Sequence, residues 1–166
     1  MRRFPTGVTL LTVRDGDTIH GMTANAFTSV SLSPTLVLVC ILKTSRTHDL
    51  VTRSGCLALN ILSAEQADWA KRFAKQTMVT DDPFSNIAVH SAVTGAPIVD
   101  ECIAFLDCRV VAMHDAGDHT IFVGEVLAAG FGCARERTPL LWLDGEYTAL
   151  NEPYAALHLA TRSAES

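Results

Sequence analysis

Apolar and polar positions alternate with period two along much of this chain, a spacing that predicts strands. Val8 to Val13 reads as a first strand, Asp15-Gly16-Asp17 as a hairpin turn, and Thr18 to Ala26 as the returning strand. Leu36 to Leu42 is apolar without a break, which predicts a buried central strand. A short helix is expected over Thr47 to Thr52, stopped by Gly55, and another strand over Cys56 to Leu62. Ser63 with Gln66 three residues on forms a capping-box pattern. It opens a helix with Ala67, Ala70, Phe73 and Ala74 on one face. Trp69 lies off that stripe, placed to cover a neighbouring element or another subunit. Thr80 to Ser91 is irregular, with Asp81-Asp82-Pro83 as its breaker, and Gly95-Ala96-Pro97 is a turn.

From Cys102 to Met113 every even position is apolar, whereas the odd positions include Asp107 and Arg109. That predicts a long one-sided strand with the charges on its other face. Ala116-Gly117-Asp118 then turns the chain, Thr120 to Ala129 is the partner strand, and Leu140 to Leu143 is a last strand. Many strands, few short helices and tight turns predict a mainly β, antiparallel barrel. A doubly wound parallel sheet would need long helices between the strands. At 166 residues the chain is expected to form one domain over residues 1–150, followed by a patternless tail over 151–166.

Composition narrows the function. With 48% hydrophobic residues the chain can build a core. A net charge of −5 and the lack of a Lys/Arg-rich run argue against a nucleic-acid surface, which works by neutralising phosphates. The apolar runs are too short to cross a bilayer, so no membrane role is expected. Met1-Arg2-Arg3 leads straight into a turn and a strand, which does not read as a signal peptide. Five cysteines without a CxxC spacing signal neither a disulfide framework nor a zinc site, and a reducing, cytoplasmic setting is expected. His114 and His119 flank one turn without an evident third ligand, so no metal is expected. No G-x-G-x-x-G supports a Rossmann mode, and no G-x-S-x-G or HExxH supplies a nucleophile or base.

The segment Gly21-Met22-Thr23-Ala24-Asn25-Ala26-Phe27-Thr28-Ser29-Val30-Ser31 packs small hydroxyl and amide side chains densely. Such residues let the backbone approach a planar polar ligand while offering donors and acceptors to its edge. The plainer reading is a Ser/Thr-rich loop. Phe4-Pro5-Thr6-Gly7-Val8 precedes it, the apolar strand ending at Cys40 follows it, and Gly117-Asp118-His119-Thr120-Ile121-Phe122-Val123-Gly124-Glu125-Val126 lies downstream. In this order the four segments resemble the short-chain flavin reductases, the reductase components of two-component flavin monooxygenases. The resemblance runs from about Arg3 to about Leu150.

This resemblance implies an antiparallel split β-barrel of the Greek-key, FMN-binding type with a few short helices. It also implies a homodimer holding flavin near the subunit boundary. The implied activity is reduction of FMN or FAD by NADH or NADPH, supplying reduced flavin to a separate oxygenase. The alternative is the same flavin pocket turned to another pathway reaction, or to binding without nucleotide turnover. Hydride transfer between two rings is the cofactors' own chemistry, so no catalytic residue is required of the protein.

By the same resemblance Pro5, Thr6 and Gly7 stand beside the flavin ring. Thr23, Ala24 and Asn25 line its isoalloxazine side, and Ser29, Val30 and Ser31 follow the ribityl chain and phosphate. Cys40 and Leu42 lead from the buried strand into a phosphate-holding loop with Ser45 and Thr47, to which Lys43 or Arg46 adds charge. Thr47 also reads as a plain helix cap. Phe73 and Ala74 end a helix near the flavin, though Phe73 reads equally as core. His119 and Tyr147 are implied in nicotinamide contact; against that, His119 could simply bond Asp118, and Tyr147 could be an ordinary strand residue. Glu125 reads as solvent-facing or ion-paired. Only Met1-Arg2-Arg3 precedes Phe4, where the family usually carries a helix, and Leu141 to Tyr147 is more acidic than usual for the family.

Overall fold

The computed structural model describes residues 2–75 and 83–150. The expected breaker at Asp81-Asp82 and the tail over 151–166 lie outside the described residues. In chain order the elements are β1 (Thr6–Gly7), β2 (Thr9–Asp15), β3 (Thr18–Ala24), β4 (Phe27–Leu32), β5 (Thr35–Leu42), α1 (Arg46–Ser54) and β6 (Cys56–Ile61). A 3-10 turn (Ala64–Gln66) leads into α2 (Ala67–Phe73). Then come β7 (Val89–Ser91), β8 (Pro97–Val99), β9 (Ala104–Ala116), β10 (His119–Phe131), β11 (Leu141–Leu143) and β12 (Glu146–Thr148).

The main sheet has the order β3-β2-β6-β9-β10-β5-β4, with every neighbouring pair antiparallel. Its two edge strands, β3 and β4, are consecutive in the chain and separated only by Asn25 and Ala26. Laid flat, seven strands would put those edges roughly 29 Å apart. The three Cα steps from Ala24 to Phe27 reach at most about 11 Å. The sheet must therefore curl until its edges meet at that corner and part elsewhere, which is a split barrel. Two bonds pin the corner: the Cys40 N–H donates to the Ala26 carbonyl at 3.0 Å, and the Thr9 hydroxyl donates to the Ala24 carbonyl at 2.9 Å.

Two cores share strand β2. Inside the barrel Leu11, Val13, Val37, Val39, Ile41, Leu57, Leu59 and Phe122 pack with Leu50 and Val51 of α1. Outside it Val8, Leu10, Leu62, Ala70, Phe73, Phe84 and Leu140 pack together, so α2 lies against the other face of β2. Buried Asn60 of β6 ties β2 to β8. Its amide donates to the Leu10 carbonyl (3.0 Å) and to Thr12 Oγ1 (3.1 Å), and its carbonyl accepts from the Val99 N–H (2.8 Å).

This arrangement corrects several expectations. The strands buried on both faces include β2 and β6, but not the apolar run Leu36 to Leu42. In β5 Val37, Val39 and Ile41 are buried, while Leu36, Leu38, Cys40 and Leu42 are half-exposed on the outer face. Strand β3 ends at Ala24 rather than Ala26, and Phe27–Leu32 is a separate strand, because the chain turns the barrel corner between them. Helix α1 starts at Arg46, and its cap is Ser45: the His48 N–H donates to Ser45 Oγ at 3.2 Å. Asp107 is buried, not outward. The loop before β8 wraps it, and its carboxylate accepts from the Val93 N–H (2.7 Å), the Thr94 N–H (2.9 Å) and the Thr94 hydroxyl. Trp69 packs on the outer core of its own chain. The turns expected at Gly16 and Gly117 are present, both glycines taking positive φ (59° and 67°) as tight hairpins require. The Ser63 N–H donates to Gln66 Oε1 at 2.8 Å, the Gln half of the expected capping box.

Candidate functional site

Two hollows open at the corner where the barrel edges meet. The larger, about 410 Å³, is lined by Phe4, Thr6, Asn25, Ala26, Phe27, Thr28, Leu38, Cys40 and Trp142, with Arg2 at its rim. The smaller, about 210 Å³, is lined by Val8, Thr23, Asn25, Ala74, Trp142 and Tyr147. Asn25 and Trp142 belong to both and stand between them.

Each wall follows from the fold. The outer face of β5 supplies Leu38 and Cys40, because the inner-facing Val37 and Val39 fix the parity of the strand. Thr28 of β4 lies opposite Leu38 and shares its face. The small sheet β1-β11-β12 supplies the far wall, with Thr6 opposite Trp142 and Trp142 opposite Tyr147. The rings of Trp142 and Tyr147 meet edge to face at 4.8 Å, which holds the indole against the site. Burial pushes the Tyr147 phenol above its ordinary value, so it stays an O–H donor at neutral pH.

Of the residues singled out from sequence, Thr6, Thr23, Asn25, Cys40, Ala74 and Tyr147 line these hollows. The Asn25 amide donates to Thr6 Oγ1 at 3.2 Å, and the Thr23 hydroxyl donates to the Ala70 carbonyl at 2.7 Å. The others lie elsewhere. Pro5 and Gly7 flank Thr6 at β1, and a Cβ built on Gly7 meets nothing within 4 Å, so a ligand could approach the backbone there. Ala24 is buried at the end of β3. Ser29, Val30 and Ser31 lie on edge strand β4, where the register shifts between Ser29 and Ser31. Leu42 ends β5. The Ser45 hydroxyl is engaged, donating to the Leu42 carbonyl at 2.8 Å while capping α1. Thr47 is buried, its hydroxyl 3.1 Å from His20 Nε2. Phe73 is 2% exposed and packs on Phe84 beneath Gly21.

His119 lies opposite Leu42, on the same sheet face as the pairs Ile121–Cys40 and Val123–Leu38. Two residues along a strand is about 7 Å, so His119 stands one side chain beyond Cys40 on the face that carries the larger hollow. Its Nδ1 is 2.7 Å from Asp118 Oδ1. That bond, helped by Lys43, holds the Asp118 carboxyl below its ordinary value. Glu125, on the same strand, is ion-paired to Arg109 at 2.7 Å.

Arg2, Leu38 and Trp142 escaped the sequence reading. Leu38 sits in a run with no polar position to mark its exposed face. Trp142 reaches the site only because β11 pairs with β1, a contact of residues 135 or so apart in the chain with no local signature.

The comparisons bear on what such a site holds. A family model described as the flavin reductase like domain matches residues 1–151. The chain belongs to the flavin reductase-like family. It is 43% identical over 135 residues to the NADH-dependent FAD reductase of Streptomyces globisporus, covering 80% of this chain and 74% of that protein. It is 36% identical over 148 residues to HsaB, the reductase subunit of a flavin-dependent monooxygenase from Rhodococcus jostii, covering 89% of this chain and 73% of that one. Among solved structures, the Streptomyces globisporus NADH:FAD oxidoreductase SgcE6 in complex with NAD and FAD fragments superposes with a TM-score of 0.82 at 38% identity, covering 92% of this chain and 89% of that one.

The corner of this flavin reductase-like chain suits a flavin on its own geometry. The walls are broad and apolar (Phe4, Phe27, Leu38, Trp142), as a planar ring system needs. The polar side chains of Thr6, Asn25 and Thr28 are few among them, enough to meet its heteroatoms. The larger hollow alone falls within the roughly 300–1,000 Å³ typical of small-molecule sites.

Proposed function

We propose that this protein is an NAD(P)H:flavin oxidoreductase that reduces FMN or FAD and supplies the reduced flavin to a separate monooxygenase. The observation that carries this reading is the corner hollow itself: apolar walls with a few polar side chains among them, in a chain of this family. When bound, flavin accepts a hydride from the reduced nicotinamide nucleotide. The protein's part is to hold and orient. Thr6, Asn25 and Thr28 present donors and acceptors to the ring edge, and Leu38, Cys40 and Trp142 cover its apolar surface. The first turn of α1, with its backbone N–H groups and the exposed Arg46, takes the phosphate. His119 contacts the nicotinamide, and Tyr147 keeps its hydroxyl available at the smaller hollow.

A homodimer belongs to the same reading. The outer face of β4, β5 and β10 carries half-exposed Leu36, Leu42, Ile121 and Val123, with Val30 (49% exposed) at the irregularity in β4. An apolar face of this kind suits a second copy of the chain, which would close the flavin site at the subunit boundary. Five free cysteines suit a reducing cytoplasm. Among the described residues no helix is long and apolar enough to cross a membrane.

The test is oxidation of NADH and NADPH by purified protein, with and without added FMN, FAD and riboflavin. Turnover is expected to need a flavin, added or copurified. Rates equal to a protein-free control with every flavin would end the reductase reading. His119→Ala is expected to raise the nucleotide KM by about tenfold while flavin affinity stays within about twofold. Loss of flavin affinity with an unchanged nucleotide KM would move His119 out of the nicotinamide site.

A further inference from the structure

Lys43 follows β5 directly, in the loop before α1 expected to hold phosphate. Its side chain turns the other way. The ammonium donates to the Gly117 carbonyl at 2.7 Å and pairs with Asp115 Oδ1 at 3.0 Å. Its backbone N–H donates to the Asp118 carbonyl at 3.0 Å. One residue thus makes three bonds to the turn between β9 and β10, the turn that presents His119 at its exit. Asp118 completes the set by holding the His119 imidazole at Nδ1.

Apart from the strand ladder that pairs Ala116 with His119 and Asp115 with Thr120, the side chains of this tip have little else to hold them. Residues Asp115 to Asp118 are all exposed, and none of them joins either buried core. Such hairpin tips fray at little free-energy cost. Anchoring the tip carbonyl and a tip carboxylate to one ammonium, with charge-assisted bonds, restricts that motion. The Lys43 side chain is 34% exposed and Asp115 87%, so solvent weakens the pair and little global stability rests on it.

We infer that Lys43 is a positioning residue that staples the β9–β10 turn to the β5–α1 loop and so orients His119 toward the reduced nicotinamide nucleotide. The inference rests on the reading that His119 contacts the nicotinamide. It also ties the two cofactor regions physically, since Lys43 bonds the loop that heads α1 to the turn that carries His119.

The test compares Lys43→Gln, Lys43→Arg and Asp115→Asn in the purified full-length protein, with His119→Ala as reference. Lys43→Gln should raise the nucleotide KM about fivefold, with kcat, flavin affinity and Tm nearly unchanged. Lys43→Arg should restore the KM to within about twofold, because a guanidinium reaches both acceptors. Asp115→Asn should raise the KM less, since the bond to Gly117 survives, and should add nothing in the Lys43→Gln background. Weaker flavin binding in Lys43→Gln with an unchanged nucleotide KM would make the lysine a phosphate ligand and overturn the staple. An unchanged KM in Lys43→Gln, while His119→Ala raises it, would overturn the staple and leave His119 in its role. Unchanged KM in both would remove the staple and the nicotinamide contact together.

Discussion

Replacing Cys40 with Phe is expected to abolish flavin binding and flavin-dependent turnover in a protein that still folds. Cys40 lies on the outer face of β5, between inward-facing Val39 and Ile41, so its side chain is aimed at the larger hollow rather than the core. The strand pairing on either side is backbone bonding that the substitution leaves alone, including the bond from the Cys40 N–H to the Ala26 carbonyl. A phenyl ring at this position occupies the volume proposed for the flavin ring. A clash with a rigid planar ligand is expected to weaken binding at least about 100-fold, some 2.7 kcal/mol. Cys40→Ala is the control: it enlarges the hollow without changing its polar side chains, and binding should stay within a few-fold. Flavin titration by fluorescence and thermal denaturation measure the two halves of this expectation. A Cys40→Phe protein that binds flavin as tightly as the parent would place the cofactor somewhere other than this corner.

The largest effect on stability is expected at Gly132, just past the end of β10. A Cβ there would lie 2.2 Å from the Cys102 carbonyl oxygen and 2.9 Å from that of Asp100. Both neighbours are backbone, so no side chain can rotate away. The same two strands of chain are tied by three bonds: Gly132 N–H to Ile103, Cys133 N–H to Asp100, and Ala134 N–H to Cys102. Making room would stretch or break them. Overpacking of this kind costs about 3 kcal/mol, and in a domain of this size that lowers Tm by roughly 10 °C. Gly7→Ala offers the contrast, because a Cβ there meets nothing within 4 Å. Its Tm should hold or rise slightly, as strand glycines gain from a side chain. A Gly132→Ala protein melting within a degree or two of the parent would show that the backbone at this crossing yields more easily than its packing implies.

Different parts of the molecule were legible in the sequence to different degrees. Several glycine turns and one helix cap were plain, because their signals are local. Glycines at positions 16 and 117, the Ser63–Gln66 pair and Gly55 after α1 each carry their instruction within a few residues. The alternation from Cys102 onward marked the long strand, since a period of two needs no knowledge of the partner. The resemblance of four ordered segments pointed to the family and to the corner around Asn25.

Faces and distant walls were another matter. An unbroken apolar run such as Leu36 to Leu42 has no period, so nothing in it says which residues face the barrel interior and which face the site. Asp107 alternated with apolar neighbours as an exposed strand residue would, and only the loop at Val93 and Thr94 folding over it made burial affordable. Ser45 and Thr47 both have capping side chains, and the geometry of the β5 exit chose Ser45. Lys43 carries the charge a phosphate loop needs, yet the tip of the β9–β10 turn lies within its reach and takes it. Local chemistry, read along the chain, determined the glycine hairpin turns and the start of the second helix. Which side chains stand around the cavity was decided by the curl of the sheet, because closing the barrel joins strands that are neighbours in space and far apart in sequence.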